Sequence, residues 1–158
     1  LDGGDLDDDG YDEVVVGAPR FGSEDMGRAY VVNGPVYGEK NLGDAYARVG
    51  GVMPEGHLGT SVDVLGDLDG DGRAELAVGA PEHDQTGEDS GTVYVLYGPL
   101  IGEVDPTEMA QILGETAGDA LGARLLAPGD LDGDGLPELF MSAPEAGDVW
   151  LYYGGYIE

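Results

Sequence analysis

The chain is 158 residues long and 41% apolar, with 33 acidic side chains against six basic ones and a net charge of −27. That length and apolar content suit one ordinary domain with a core, while the charge argues against nucleic acid or an anionic membrane as partner. The absence of cysteine excludes disulfides; no stretch is apolar and long enough to span a bilayer, and the signal of an exported chain is expected to have been removed or to belong to a longer precursor.

The first element is an acidic loop. Residues 4–19 read GDLDDDGYDEVVVGAP, in which Asp5, Asp7 and Asp9 alternate, Gly10 follows, and Glu13 opens an apolar run closed by Gly-Ala-Pro. Alternate aspartates turn toward one centre only if the backbone wraps around it, and the glycine permits the positive φ that carries the wrap onward. Counting Asp5 as the first position, the Tyr11 carbonyl is the seventh and Glu13 the ninth. Four carboxylates and a carbonyl make an all-oxygen shell of the kind Ca²⁺ takes. Strands are predicted over residues 13–16 and 29–33, with another near 46–49. Only three residues precede Gly4, so this repeat is expected to lack its first strand.

The middle repeat is complete. A strand over residues 60–65 leads into GDLDGDGRAELAVGAP at 66–81, whose equivalent set is Asp67, Asp69, Asp71, the Arg73 carbonyl and Glu75. Strands follow at 75–79, 92–97 and, more weakly, 110–113. Residues 92–97 read TVYVLY, apolar on both faces, which predicts a sheet covered on both sides. The last repeat has a strand near 123–127 and then GDLDGDGLPELFMSAP at 129–144, with Asp130, Asp132, Asp134, the Leu136 carbonyl and Glu138. Strands at 138–141 and 149–153 follow, and no fourth strand is expected.

Three near-copies starting at Gly4, Gly66 and Gly129 mark a repeat architecture. The units run over residues 1–56, 57–118 and 119–158. Four-stranded antiparallel sheets stacked face to face define an all-β fold of β-propeller blades, here ten strands with one complete blade. Exposed blade faces are hazards, so either the remaining blades of a longer propeller or self-association is expected to cover them.

An EF-hand is excluded. Its loop needs a bidentate Glu at the twelfth position and a helix beyond it; the twelfth residues here are Val16, Val78 and Met141, each inside a strand pattern. A single acidic turn can exist without metal, but three loops with the same four carboxylate positions favour three Ca²⁺ sites. Three such ions would remove only six of the 27 excess negative charges, which fits Ca²⁺-rich or saline surroundings as well as a solubilising surface.

The middle stretch, preceded by Leu58-Gly59 and followed by GTVYVLYG, resembles the FG-GAP repeat of integrin α-subunit β-propellers and of many bacterial surface proteins. Leu-Gly at 58–59 and 121–122 stands for Phe-Gly; Gly-Ala-Pro occurs twice, and Ser142-Ala143-Pro144 departs by one residue. The family usually has Asp at the ninth position, where all three copies here have Glu. The resemblance implies an extracellular or cell-surface scaffold for adhesion, with structural Ca²⁺ and with a protein or glycan ligand on the face opposite the metal hairpins. That face would carry the connections 20–26 and 82–90, the pair Glu145 and Ala146, and residues 53–57 and 115–120. Loops also vary simply because nothing constrains them. Tyr30, Tyr94 and Trp150 recur at one repeat position, as do Gly34, Gly98 and Gly154, which points to packing.

Enzyme signatures are absent from the sequence: His57 and His83 lie in different connections, and there is no GxSxG and no phosphate-cradling loop. The reading is a binding module and not an enzyme. The alternative is the propeller portion of a carbohydrate-active enzyme such as a polysaccharide lyase, using a spare acid such as Asp63, Asp84 or Glu115.

Overall fold

Each acidic stretch folds as the tip of a β-hairpin, and each hairpin begins a sheet. In the computed structural model, which describes residues 2–155, the first sheet contains β1 (Asp2–Gly4), β2 (Glu13–Ala18), β3 (Arg28–Val32) and β4 (Ala47–Gly50), antiparallel in that order. The second contains β5 (Ser61–Gly66), β6 (Glu75–Ala80), β7 (Thr92–Leu96) and β9 (Ala110–Leu113). The third has β10 (Leu125–Gly129), β11 (Glu138–Ala143) and β12 (Asp148–Tyr152).

Two strands differ from the expected ten. The first repeat does not lack its first strand entirely: β1 pairs Asp2 to Gly4 with Val15 to Glu13, so the end of that strand is present. The second addition is β8 (Gly102–Val104), from the connection between β7 and β9, which crosses to the first sheet and pairs in parallel with β4. It closes an edge that would otherwise present unpaired backbone groups. Glu103 on β8 lies 3.5 Å from both Arg28 and Arg48.

The sheets stack through two apolar layers. Val15, Val31, Ala47 and Val49 of the first sheet meet Leu76, Val78, Tyr94 and Leu96 of the second. Ala77, Val93 and Val95, on the other face of the second sheet, meet Leu139, Met141 and Trp150 of the third. All five residues of β7 are therefore buried, as a strand apolar on both faces requires. On the far side of the third sheet, Leu126 and Val149 are 60% and 68% exposed.

A backbone clasp joins consecutive repeats. The buried Leu58 and Leu121 bridge to Gly27 and Gly91 of the preceding repeat. The glycine after each leucine donates to the Gly-Ala-Pro stretch of its own repeat or the equivalent stretch: Gly59 N to Gly79 O at 2.9 Å, and Gly122 N to Ser142 O at 3.0 Å. Its carbonyl presses on that of the repeat before. A Cβ on Gly17 would lie 2.0 Å from Gly59 O, and one on Gly79 would lie 2.1 Å from Gly122 O. Only glycine fits there. At the third copy Ser142 is accommodated, its hydroxyl accepting from Arg124 N at 3.0 Å.

Candidate metal centres

The loops between β1 and β2, β5 and β6, and β10 and β11 owe their shape to aspartates accepting bonds from the backbone ahead of them. In the second loop Asp67 accepts from Gly70 N and Gly72 N at 2.7 and 2.9 Å, Asp69 from Asp71 N at 3.0 Å, and Asp71 from Arg73 N at 2.8 Å. The third loop repeats this pattern: Asp130 to Gly133 and Gly135, Asp132 to Asp134, and Asp134 to Leu136. The first loop is a variant. Asp8 stands where the others have glycine and takes φ 60°; Asp5 accepts from Asp9 N and Gly10 N, and Asp9 from Tyr11 N.

The ninth-position glutamate has a task its sequence position did not reveal. Glu13, Glu75 and Glu138 are at most 1% exposed, and one oxygen of each accepts from the amide of the loop's second residue: Leu6 at 2.8 Å, Leu68 at 2.5 Å and Leu131 at 2.5 Å. This bond locks the hairpin across its base. The other oxygen differs among copies. Glu13 Oε1 accepts from Gly34 N at 3.2 Å, whereas Glu75 Oε1 and Glu138 Oε1 are buried with no hydrogen-bond partner, as is Asp7 Oδ1. A buried carboxylate oxygen without a donor is costly, and a cation in the loop would satisfy it.

The third loop brings oxygens of all four acids, Asp130, Asp132, Asp134 and Glu138, within 4.8 Å of one another. The first brings together Asp5, Asp7 and Glu13 but not Asp9, and the second Asp67, Asp69 and Asp71 but not Glu75. Burial, reinforced by the carboxylates of Asp69, Asp67 and Asp71, pushes Glu75 up to about 7, and burial also raises Glu13. These residues therefore fit a hard divalent cation, with the orphaned glutamate oxygens as the sharpest indication.

At the opposite end of the strands, the two expected loop sets are hydrogen-bonded together. Glu55 N donates to Glu24 O at 2.6 Å and His57 N to Asp25 O at 3.3 Å; Gly118 N donates to Glu88 O at 2.8 Å and Ala120 N to Asp89 O at 3.0 Å. A cleft of about 440 Å³ lies there, lined by Glu115, Asp119, Glu145, Asp148 and Trp150 among others. The histidines have structural surroundings. His57 Nδ1 is 2.8 Å from Glu82; His83 is buried against Thr92 Oγ1 and Tyr94 Oη at 3.2 and 3.3 Å, and burial lowers its pKa. Of the spare acids, Asp63 accepts from Ala127 N of the third sheet at 2.5 Å and Asp84 from Asp89 N at 2.8 Å. No helix among the described residues is long and apolar enough to cross a membrane.

Sheets of propeller-blade type, repeated in one direction and each opened by an acidic hairpin, define an all-β repeat protein of the β-propeller class. The profile of the FG-GAP repeat matches residues 1–37, 58–96 and 123–155. The chain belongs to the FG-GAP repeat family. Its sequence is 30% identical over 160 residues to integrin alpha-PS2 of Drosophila melanogaster, an alignment covering 94% of this chain and 11% of that protein. Over 144 residues it is 34% identical to integrin alpha-7 of Rattus norvegicus and 33% identical to integrin alpha-7 of Homo sapiens. Those alignments cover 88% of this chain, and 12% and 11% of the respective integrins.

Proposed function

We propose that the chain is a Ca²⁺-binding propeller segment serving adhesion or recognition outside the cell or at its surface, with the metal structural. Each hairpin holds one Ca²⁺. The ligands are Asp5, Asp7, Asp9, Glu13 and the Tyr11 carbonyl in the first, and Asp67, Asp69, Asp71, Glu75 and the Arg73 carbonyl in the second. In the third they are Asp130, Asp132, Asp134, Glu138 and the Leu136 carbonyl. The observation that carries this reading is the pair of buried oxygens, Glu75 Oε1 and Glu138 Oε1, that have no donor although the second oxygen of each accepts from a loop amide. The cation supplies the positive charge that offsets repulsion among the clustered carboxylates. The chain's own residues form the cage, and Glu13, Glu75 and Glu138 tie it to the strands.

The protein or glycan ligand engages the face opposite the hairpins, where the joined loops form the acidic cleft beside Trp150. The similarity to integrin α-subunits supports a recognition module over an enzyme. The remaining blades of a longer polypeptide, or association between copies, cover the apolar outer faces. Calorimetric titration of chelator-treated protein tests the metal assignment. Three equivalents of Ca²⁺ are expected, with Mg²⁺ binding more weakly because it demands a compact octahedron; one equivalent or fewer, or preference for Mg²⁺, contradicts it.

A further inference from the structure

The connections after the third strands of the first two sheets are copies of one another. Residues 34–45 read GPVYGEKNLGDA and residues 98–109 read GPLIGEVDPTEM. Gly38 and Gly102, at the same place in each, have φ of 67° and 71°. Both connections end in a short 3-10 turn capped at the same place, Asn41 accepting from Gly43 N and Asp105 from Thr107 N, at 2.9 Å each. The backbone of the first connection is thus already shaped like that of the second.

Only the second is docked. Its Leu100 is 4% exposed in the layer between the first two sheets. Gly102 N donates to Tyr46 O at 2.9 Å as β8 joins β4, and Glu103 sits between Arg28 and Arg48. In the first connection Val36, the counterpart of Leu100, is 41% exposed and Tyr37 is 78% exposed. Glu39, the counterpart of Glu103, is exposed and has no ion pair among the described residues. Lys40 replaces the half-buried Val104, and its aliphatic stem can lie along the same apolar surface.

We propose that residues 36–40 are a strand-adding arm, and that it pairs in parallel with the outer edge strand of an FG-GAP sheet preceding the first sheet in a longer polypeptide. That partner strand and its neighbour carry basic side chains opposite Glu39, as Arg48 and Arg28 do opposite Glu103. Main-chain bonds along the edge provide the attachment, and the Val36 pocket and the charge pair set the register. The edges seen in this chain do not fit the role. β4 is already covered by β8, and β9 and β7 have Gln111 and Thr92 where β4 and β3 have Arg48 and Arg28. A second copy does not fit either. An arm reaches the sheet before its own, and a copy stacked there would present its third sheet, which has no fourth strand among the described residues. The matched integrins extend far beyond the aligned stretch, which covers 11–12% of them, so sheets of this class occur with much more chain around them.

The proposal rests on the propeller reading, and the test separates the two. Hydrogen–deuterium exchange is measured on the Ca²⁺-loaded polypeptide encoded by the complete reading frame, with residues 102–104 as internal standard. Hydroxyl-radical labelling reports Val36 and, on the far side of the third sheet, Phe140 and Leu151, which pair with each other beside Leu126. The arm amides are expected to exchange at least ~100-fold more slowly than an unstructured chain, as residues 102–104 do. Glu39→Arg should restore at least ~10-fold of that rate without changing residues 102–104, and Val36 should resist labelling. Freely exchanging arm amides with Phe140 and Leu151 protected overturn the arm and leave the propeller standing. Free exchange with Phe140 and Leu151 also labelled overturns both. A reading frame that encodes no FG-GAP sheet before this one also overturns the arm.

Discussion

A methyl group at Gly79 would lie 2.1 Å from a backbone oxygen of the next repeat, and the oxygen of a clasp has nowhere to move. Gly79→Ala is therefore expected to cost about 2–4 kcal/mol, measured by urea denaturation, because the overpacking falls on the Gly122 backbone as well as on the Ser61 hydroxyl that donates to it. Ser142→Gly, at the same repeat position with no such pressure among the described residues, should change stability by less than about 1 kcal/mol. Asp8 is the converse case: it holds φ 60° where Gly70 and Gly133 have 82° and 84°. Asp8→Gly should stabilise the protein by about 0.5 kcal/mol, the relieved strain partly offset by the more flexible unfolded chain. Asp8→Ala removes the charge but keeps the Cβ, and should give no such gain. Equal gains from both would assign the effect to charge.

Glu75 carries the pH dependence of the metal-free hairpin. Its pKa is raised from 4.5 in the unfolded chain to about 7 in the fold, chiefly by burial and then by neighbouring carboxylates. The contribution of the neutral acid is therefore fully present below about pH 4.5 and is lost as pH rises through about 7. His83, lowered by burial, works in the other direction and loses stability as pH falls through its unfolded value of 6.5. In chelator, the melting temperature of Glu75→Gln minus that of wild type should grow from pH 5 to 8. A difference that shrinks or is flat over that range contradicts the burial of Glu75 with one oxygen lacking a donor.

At the scale of the element, the hairpins differ by what lies against them. Leu6 and Leu68, the second residues of the first two loops, are buried in the inter-sheet layers, whereas Leu131 is 57% exposed. The third cage, with all four carboxylates converging, thus stands least supported by packing and most dependent on its own chemistry. Asp134→Ala is expected to narrow the gap between Ca²⁺ and chelator melting curves; an unchanged gap would remove Asp134 from the cation shell.

These hairpins and most strands were legible because their signals are local: alternating aspartates, a glycine, β-branched runs, and three copies for comparison. What escaped the sequence depends on distant backbone. Gly102-Glu103-Val104 has no alternation of its own and becomes a strand because β4 lies beside it. The three residues of β1 are too few to show a period. That Glu13 uses both oxygens on amides while Glu75 and Glu138 keep one free turns on where Gly34 N lies, 21 positions away.

Across the whole molecule, the same two kinds of face alternate from sheet to sheet, so every buried layer is a head-to-tail contact. The layers are only as ordered as the hairpins that set the first two strands of each sheet, and those hairpins gather carboxylates in a chain already at −27. On the proposed Ca²⁺ assignment, binding to the folded cages alone would stabilise by RT ln(1 + [Ca²⁺]/Kd), about 2.7 kcal/mol per site at a hundredfold excess. Three sites would be comparable with the roughly 5–15 kcal/mol of an ordinary domain. The most direct measurement is scanning calorimetry of one preparation in Ca²⁺ and in EDTA. The account predicts a melting temperature higher in Ca²⁺ by more than about 10 °C. Superimposable transitions in the two buffers would contradict it.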